Sequence, residues 1–271
     1  MQHGIHFISG LPRAGSTLLA AILRQNPRCH AAMTSPLGTL FTALLGEMSE
    51  RNEFALFLSE RQKRAILAGL FENYYRDAHE QRLVFDTNRL WCAKLPALAA
   101  LFPSAKVIAC VRHVPWIFDS LERLIRSNTF ELSKIFNFEP GGTVYSRADG
   151  LSGANGLVGF AWHALKEAYY GEQADRLLLL TYDTLTRAPA QAMAAVYAFL
   201  GEPPFAHDFN DVAYAEDEFD ARLGTPGLHR VAPQVRHVER QSILPPDLFR
   251  RFESDSFWTD PQLNLRGVQV V

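Results

Sequence analysis

Residues 5–18 read Ile5-His6-Phe7-Ile8-Ser9-Gly10-Leu11-Pro12-Arg13-Ala14-Gly15-Ser16-Thr17-Leu18. The first five read as a short strand, broken by Gly10. From residue 16 to residue 25 the apolar side chains Leu18, Leu19, Ile22 and Leu23 recur at helical spacing. Asn26-Pro27 ends that helix, because a residue before proline is pushed out of the α region. A loop bounded by glycines, between a strand and a helix, is the setting in which a backbone cradles an anion. Glycine opens torsions closed to other residues, so successive N–H groups converge, and the helix N-terminus adds partial positive charge. The spacing Gly-x-x-x-x-Gly-x-Thr is one residue short of a nucleoside-triphosphate loop. Ser16 stands where that loop has lysine, and the cation has moved to Arg13, whose guanidinium fork suits phosphate-like oxygens.

Working outward, the same alternation continues. Residues 83–86, 106–111 and 177–181 read as further short apolar strands, and residues 97–102, 115–128, 157–170 and 188–200 as helices. Residues 37–80 are expected to be largely helical, with a break near Gly46 and Glu50-Arg51-Asn52, and the Gly-rich polar stretch 137–156 is expected to be a long surface loop. Strands that are nearly all apolar and alternate with helices predict an α/β fold: three layers, α/β/α, around a central parallel sheet. One domain over residues 1–271 is expected, with the helical insertion at about 37–80 and a flap-like C-terminal segment at about 202–271.

Composition excludes other classes. The chain has 271 residues, 48% of them hydrophobic and 21% charged, which rules out disorder and fibrous repeats. A net charge of −2 gives no basis for bulk binding to nucleic acid or an anionic membrane. No apolar run reaches the ~18 residues of a membrane span. The first ten residues lack the charged start and long apolar stretch of a secretory leader. Cys29, Cys92 and Cys110 form no C-x-x-C pair, so neither a zinc site nor a dithiol is expected, and reduced thiols point to the cytoplasm.

Residues 11–19, Leu-Pro-Arg-Ala-Gly-Ser-Thr-Leu-Leu, resemble the 5′-phosphosulfate loop of the sulfotransferase family, whose members use 3′-phosphoadenosine 5′-phosphosulfate. Ala14 replaces the serine usual there. Residues 107–112, a strand ending in Arg112, with Ser120 eight residues on, resemble that family's 3′-phosphate site. Residues 177–185, closing in Tyr182-Asp183-Thr184-Leu185, resemble its later strand near the adenosine. The resemblance spans about residues 5–200, and residues 100–112 look most like the tyrosylprotein and bacterial branches. It implies a P-loop-like fold and a nucleotide held by Arg13, Ala14, Gly15, Ser16, Thr17, Leu18, Arg112, Ser120 and Tyr182. It further implies metal-independent in-line transfer of a sulfuryl group to an acceptor hydroxyl on a small molecule, carbohydrate or peptide.

For the chemistry, Arg13 is expected to stabilise the transferring group. Where the tyrosylprotein branch has Gly-Glu-Glu after its first helix, this chain has Met33-Thr34-Ser35-Pro36, so the base must come from elsewhere. Asp86, at the end of the second strand, is the first choice and His229 the second, with Arg89 three residues beyond Asp86 adding positive charge. The insertion and residues 129–156 are expected to wall the acceptor pocket; Phe130, Phe136, Phe138, Trp91 and Trp116 are candidates for an aromatic lining, though aromatics at such spacing are more often core. Arg222, Arg230, Arg236 and Arg240 follow an acidic stretch at 208–220 and are read as a flap over an anionic ligand. Two other readings stay open. One is a P-loop small-molecule kinase, with residues 83–86 as a metal-binding strand. The other is a catalytically degenerate nucleotide-binding protein.

Overall fold

The computed structural model describes residues 4–78, 82–136, 138 and 142–271. Its centre is a sheet of six strands: β1 (Gly4–Gly10), β2 (Cys29–Ala31), β3 (Leu83–Thr87), β4 (Val107–Val111), β5 (Leu177–Thr181) and β6 (Gln269–Val270). They lie in the order β2-β3-β1-β4-β5-β6, and every pair is parallel. All five residues of β3 and of β4 are buried. Successive side chains of a strand point to opposite faces, so burial of every residue means that both faces are covered.

The cover comes from the helices α1 (Ser16–Leu23), α2 (Leu37–Glu47), α3 (Glu60–Tyr74), α4 (Leu90–Ala93), α5 (Leu95–Leu101), α6 (Val114–Ser127), α7 (Val144–Ser152), α8 (Leu157–Tyr170), α9 (Tyr182–Arg187), α10 (Pro189–Leu200), α11 (Asp217–Arg222) and α12 (Pro246–Arg251). On one face Phe7 of β1 meets Phe71 of α3, Trp91 of α4 and Phe102, at ring separations of 5.8, 5.4 and 6.1 Å. Phe7, Phe71 and Trp91 are fully buried, each contributing about 1.5–3 kcal/mol or more by area. This aromatic cluster clamps the insertion helix α3 to the central strand.

Several expectations need correction. Of the candidate pocket aromatics, Trp91 takes the core alternative. Residues 144–152 are not a loop: α7 is capped by Thr143, whose side chain accepts from the Ser146 N–H while Ser146 Oγ accepts from the Thr143 N–H. That capping box and the buried Ala148 and Leu151 anchor a helix which Gly-rich composition concealed. The part of that expectation covering residues 137 and 139–141 lies outside the described residues, as do residues 79 and 80 of the helical stretch. The edge strands β2 and β6 also escaped sequence reading, because two or three residues carry no periodicity. Within residues 37–80 the helical pattern is present, as α2 and α3 joined by a short 3-10 helix at Glu53–Phe57. Among the described residues no helix is long and apolar enough to cross a membrane.

Candidate active site

In a parallel sheet a ligand sits beyond the carboxyl ends of the strands, where neighbouring connections run to opposite sides. Here that point is the end of β1, with β3 on one side and β4 on the other. The chain leaves β1 through Gly10, at φ 100°, where a Cβ would lie 2.2 Å from the Cys110 carbonyl oxygen. It enters α1 through Gly15, at φ 102°, packed against Leu185 and the Tyr182 ring. The two glycines thus permit a left-handed turn pressed against β4 and α9. The first helical bond runs from the Leu19 N–H to the Gly15 carbonyl at 2.8 Å, which leaves the amides of Ser16, Thr17 and Leu18 as the open donors of the helix start. Ala14 is buried beneath them, and Ser16, Thr17 and Leu18 are half-buried.

Arg13 itself has φ 56°, a left-handed conformation that costs a non-glycine residue roughly 1–3 kcal/mol. Its side chain is held at both ends. Nε donates to Ser120 Oγ at 3.1 Å, and Nη1 donates to the Leu228 carbonyl. Arg112, at the end of β4, donates from Nη1 to the Arg13 carbonyl at 3.3 Å and lies 4.1 Å over the Tyr182 ring. The residues named from the sequence for nucleotide binding, Arg13 to Leu18, Arg112, Ser120 and Tyr182, therefore converge on one locus. Burial, then mutual repulsion of the two guanidinium groups, lowers Arg13, and burial lowers Arg112. Such a concentration of positive charge favours an anion.

Asp86 is placed differently. It is fully buried, on the same face as the aromatic cluster. One carboxylate oxygen accepts from Ser35 Oγ at 2.6 Å and Tyr75 Oη at 2.5 Å, and the other from Trp91 Nε1 at 2.7 Å. Burial raises its pKa while these donors pull the other way. A carboxylate with three internal donors and no solvent contact is not turned toward an acceptor hydroxyl, nor toward a metal beside the loop. Asp86 instead ties the loop after β2, the end of α3 and α4 to the strand end.

The C-terminal segment supplies what local reading missed. His229 Nδ1 lies 2.5 Å from Oδ1 of Asp220, and the His229 N–H donates to the second oxygen at 2.8 Å. Asp220 is fully buried. An imidazole whose Nδ1–H is held by a carboxylate presents Nε2 as an acceptor. Burial lowers the His229 pKa first, Asp220 opposes this, and the nearby Arg13 and Arg89 lower it further. The neutral ring is thus favoured. Arg240 reaches the buried Asp119 at 2.7 Å, and the Ile243 N–H donates to the same carboxylate at 2.8 Å. Neighbouring residues of α6 therefore hold the loop, through Ser120, and the tail, through Asp119. Arg222 and Arg230 form exposed pairs with Glu218 and Asp217. Asp220 read as one acid of a charged run, and nothing local in the sequence distinguishes it as the partner of His229.

Comparison with known proteins agrees with this geometry. A family model described as "Sulfotransferase family" matches residues 6–207. No curated protein sequence gives a significant match. Among solved structures, the sulfotransferase domain from the curacin biosynthetic pathway aligns over 93% of this chain and 91% of its own, at 17% identity and a TM-score of 0.53. A sulfotransferase from Alicyclobacillus acidocaldarius aligns over 82% of this chain and 90% of its own, at 15% identity and a TM-score of 0.50. At such identities the structural likeness speaks for the fold.

Proposed function

Because the chain belongs to the sulfotransferase family, we propose that it transfers a sulfuryl group from 3′-phosphoadenosine 5′-phosphosulfate to an acceptor hydroxyl. The observation that carries this reading is the convergence of Arg13, Ser120, Arg112 and Tyr182 around the open amides of the α1 start. A strained arginine between two glycines, with a second arginine and a serine donor beside it, fits a ligand that has anionic groups at both its 5′ and 3′ positions. Arg112 and Ser120 hold the 3′-phosphate. The amides of residues 14–18 and the Arg13 guanidinium hold the 5′-phosphosulfate. Tyr182, already under the Arg112 cation, borders the adenosine.

The nucleotide supplies a sulfur whose bond to the 5′-phosphate oxygen breaks as the acceptor oxygen bonds to it. His229 takes the acceptor proton on Nε2, and Asp220 keeps the ring in the tautomer that can accept it. Arg13 stabilises charge on the sulfuryl oxygens and the departing phosphate. The family assignment and the buried state of Asp86 weigh against the kinase reading. The Asp220–His229 pair weighs against a protein that only binds nucleotide.

Calorimetry with adenosine 3′,5′-bisphosphate and with adenosine 5′-phosphosulfate tests the nucleotide site. Arg112→Ala should weaken the bisphosphate by about 2–4 kcal/mol, the range for truncating one member of a buried charge pair. Adenosine 5′-phosphosulfate, lacking the 3′-phosphate, should be nearly unaffected. Equal losses for both ligands would remove Arg112 from the 3′ site.

A further inference from the structure

We propose that Phe219, with Phe130 and Leu132, selects the acceptor, and that the acceptor is a molecule whose hydroxyl sits on an apolar body. The proposal rests on the sulfotransferase reading and names the class of its second substrate.

On α11, Phe219 directly precedes Asp220, the carboxylate that holds His229. Its ring lies beside the His229 imidazole, with centroids 5.7 Å apart and planes inclined by 56°. Asp220 is fully buried, whereas Phe219 is 40% exposed. One residue of this pair therefore fixes the imidazole, and the other presents apolar surface next to it.

The loop after α6 extends that surface. The Leu223 N–H donates to the Phe219 carbonyl at 3.1 Å, and the Leu223 carbonyl accepts from the Lys134 N–H at 2.8 Å. Ser133 Oγ and Thr225 Oγ1 share a hydrogen bond, and Asn128 Nδ2 donates to the Pro226 carbonyl at 3.2 Å. Gly224, at φ 62°, presses so closely on the loop that a Cβ would lie 2.0 Å from the Leu132 carbonyl oxygen. The loop tied to the tail in this way leaves Phe130 99% exposed, Leu132 48% and Phe138 46%. Single exposed apolar residues are ordinary on a folded protein. Here four stand on two segments joined next to one imidazole, and apolar surface gathered in that way marks a place that a ligand covers.

His229 decides which ligand. A hydroxyl oxygen that hydrogen-bonds to Nε2 brings the carbon that bears it up to the imidazole, and the rest of the molecule then meets the Phe219 ring and the loop. Apolar atoms gain by leaving water there. A polyol laid on the same surface would give up its water without a hydrogen-bond partner in return. The acids beside Phe219 do not alter that balance, because Glu218 is paired with Arg222 and Asp217 with Arg230.

The test is a series of linear alkan-1-ols from butanol to octanol, with glycerol and glucose as polar controls. Transfer from 3′-phosphoadenosine 5′-phosphosulfate is measured for each, and binding is read by saturation-transfer NMR on the protein loaded with adenosine 3′,5′-bisphosphate. Both kcat/KM and affinity should rise by about two- to four-fold per added methylene, four-fold being the value of one fully buried CH₂, and the polyols should be poor acceptors. Phe219→Ala should flatten that slope, Phe130→Ala should flatten it less, and Phe219→Leu should keep most of it. All three variants should bind the bisphosphate as the native chain does, which also checks that they fold. A flat series, polyols preferred to octanol, no transfer to any alcohol by protein that binds the bisphosphate, or a slope that survives Phe219→Ala overturns the proposal. So does self-association in sedimentation that Phe130→Ala abolishes, since a second copy would then cover the surface. Failure of the bisphosphate itself to bind is a separate result. It overturns the sulfotransferase reading, and the alcohol series is then compared by binding to the free protein.

Discussion

The loop at residues 10–17 and the tail at residues 216–243 meet at one guanidinium and reach it by opposite routes. In the loop, contiguous residues do everything: Gly10 and Gly15 set the turn, and Arg13 sits between them in a left-handed conformation. In the tail, the groups that matter come from scattered positions. Leu228 offers a carbonyl, His229 an imidazole oriented by Asp220, and Arg240 a cation anchored on Asp119 of α6. The loop's geometry follows from torsions and is local. The tail's geometry follows from buried carboxylates and exists only when the chain is folded. A glycine-bounded turn therefore announces itself in a few residues, while an imidazole oriented by a distant carboxylate does not.

The largest expected effect lies on the loop side. Arg13→Ala should lower kcat by about 10²–10³-fold, the usual cost of losing a donor aimed at developing charge, and raise KM for the nucleotide far less. Unchanged kcat with a raised KM would make Arg13 a ground-state binder instead. On the tail side Asp220→Asn should lower kcat by about 10²-fold while nucleotide affinity holds. Its pH dependence carries the sharper information. His229 is held below its ordinary value of 6.5, so the rate should rise with pH through that depressed value and level off above it. Asp220 raises the His229 pKa, so its loss should move the rising limb to still lower pH while the plateau drops. A limb that moves upward would remove His229 from the role of base.

The smallest effect concerns how tightly the tail is held. Arg222–Glu218 and Arg230–Asp217 are exposed pairs, worth about 0–1 kcal/mol each. A nucleotide phosphate can compete for such arginines. Hydrogen exchange with adenosine 3′,5′-bisphosphate should show added protection at 222–240 together with 10–18 and 112–120. A tail that exchanges identically in both states would separate the two regions and reduce the tail to fixed packing.

Asp86 marks where sequence reading of the site failed. A carboxylate at the end of a strand beside the loop has the right position in the chain. Its direction, however, depends on the pleat. Its register partner on β1 is Phe7, which faces α3 and α4, so Asp86 turns into the aromatic side and meets Ser35, Tyr75 and Trp91. The same argument explains α7. Its Gly-rich surroundings suggest a loop, yet the Thr143–Ser146 box and the burial of Ala148 and Leu151 decide otherwise.

By itself the sequence determined the alternation of strand and helix, the parallel sheet, and the glycine-bounded loop between β1 and α1 with Arg13 in it. These rest on local periodicity, glycine torsions and short spacings, which act over a few residues and need no partner. Only the tertiary structure decided that Asp86 is a buried anchor and that Asp220 orients His229. Each of these depends on which distant groups burial brings within hydrogen-bonding distance. Removing a charge from water is costly unless a partner is present, so the fold, and not the local pattern, assigned those partners.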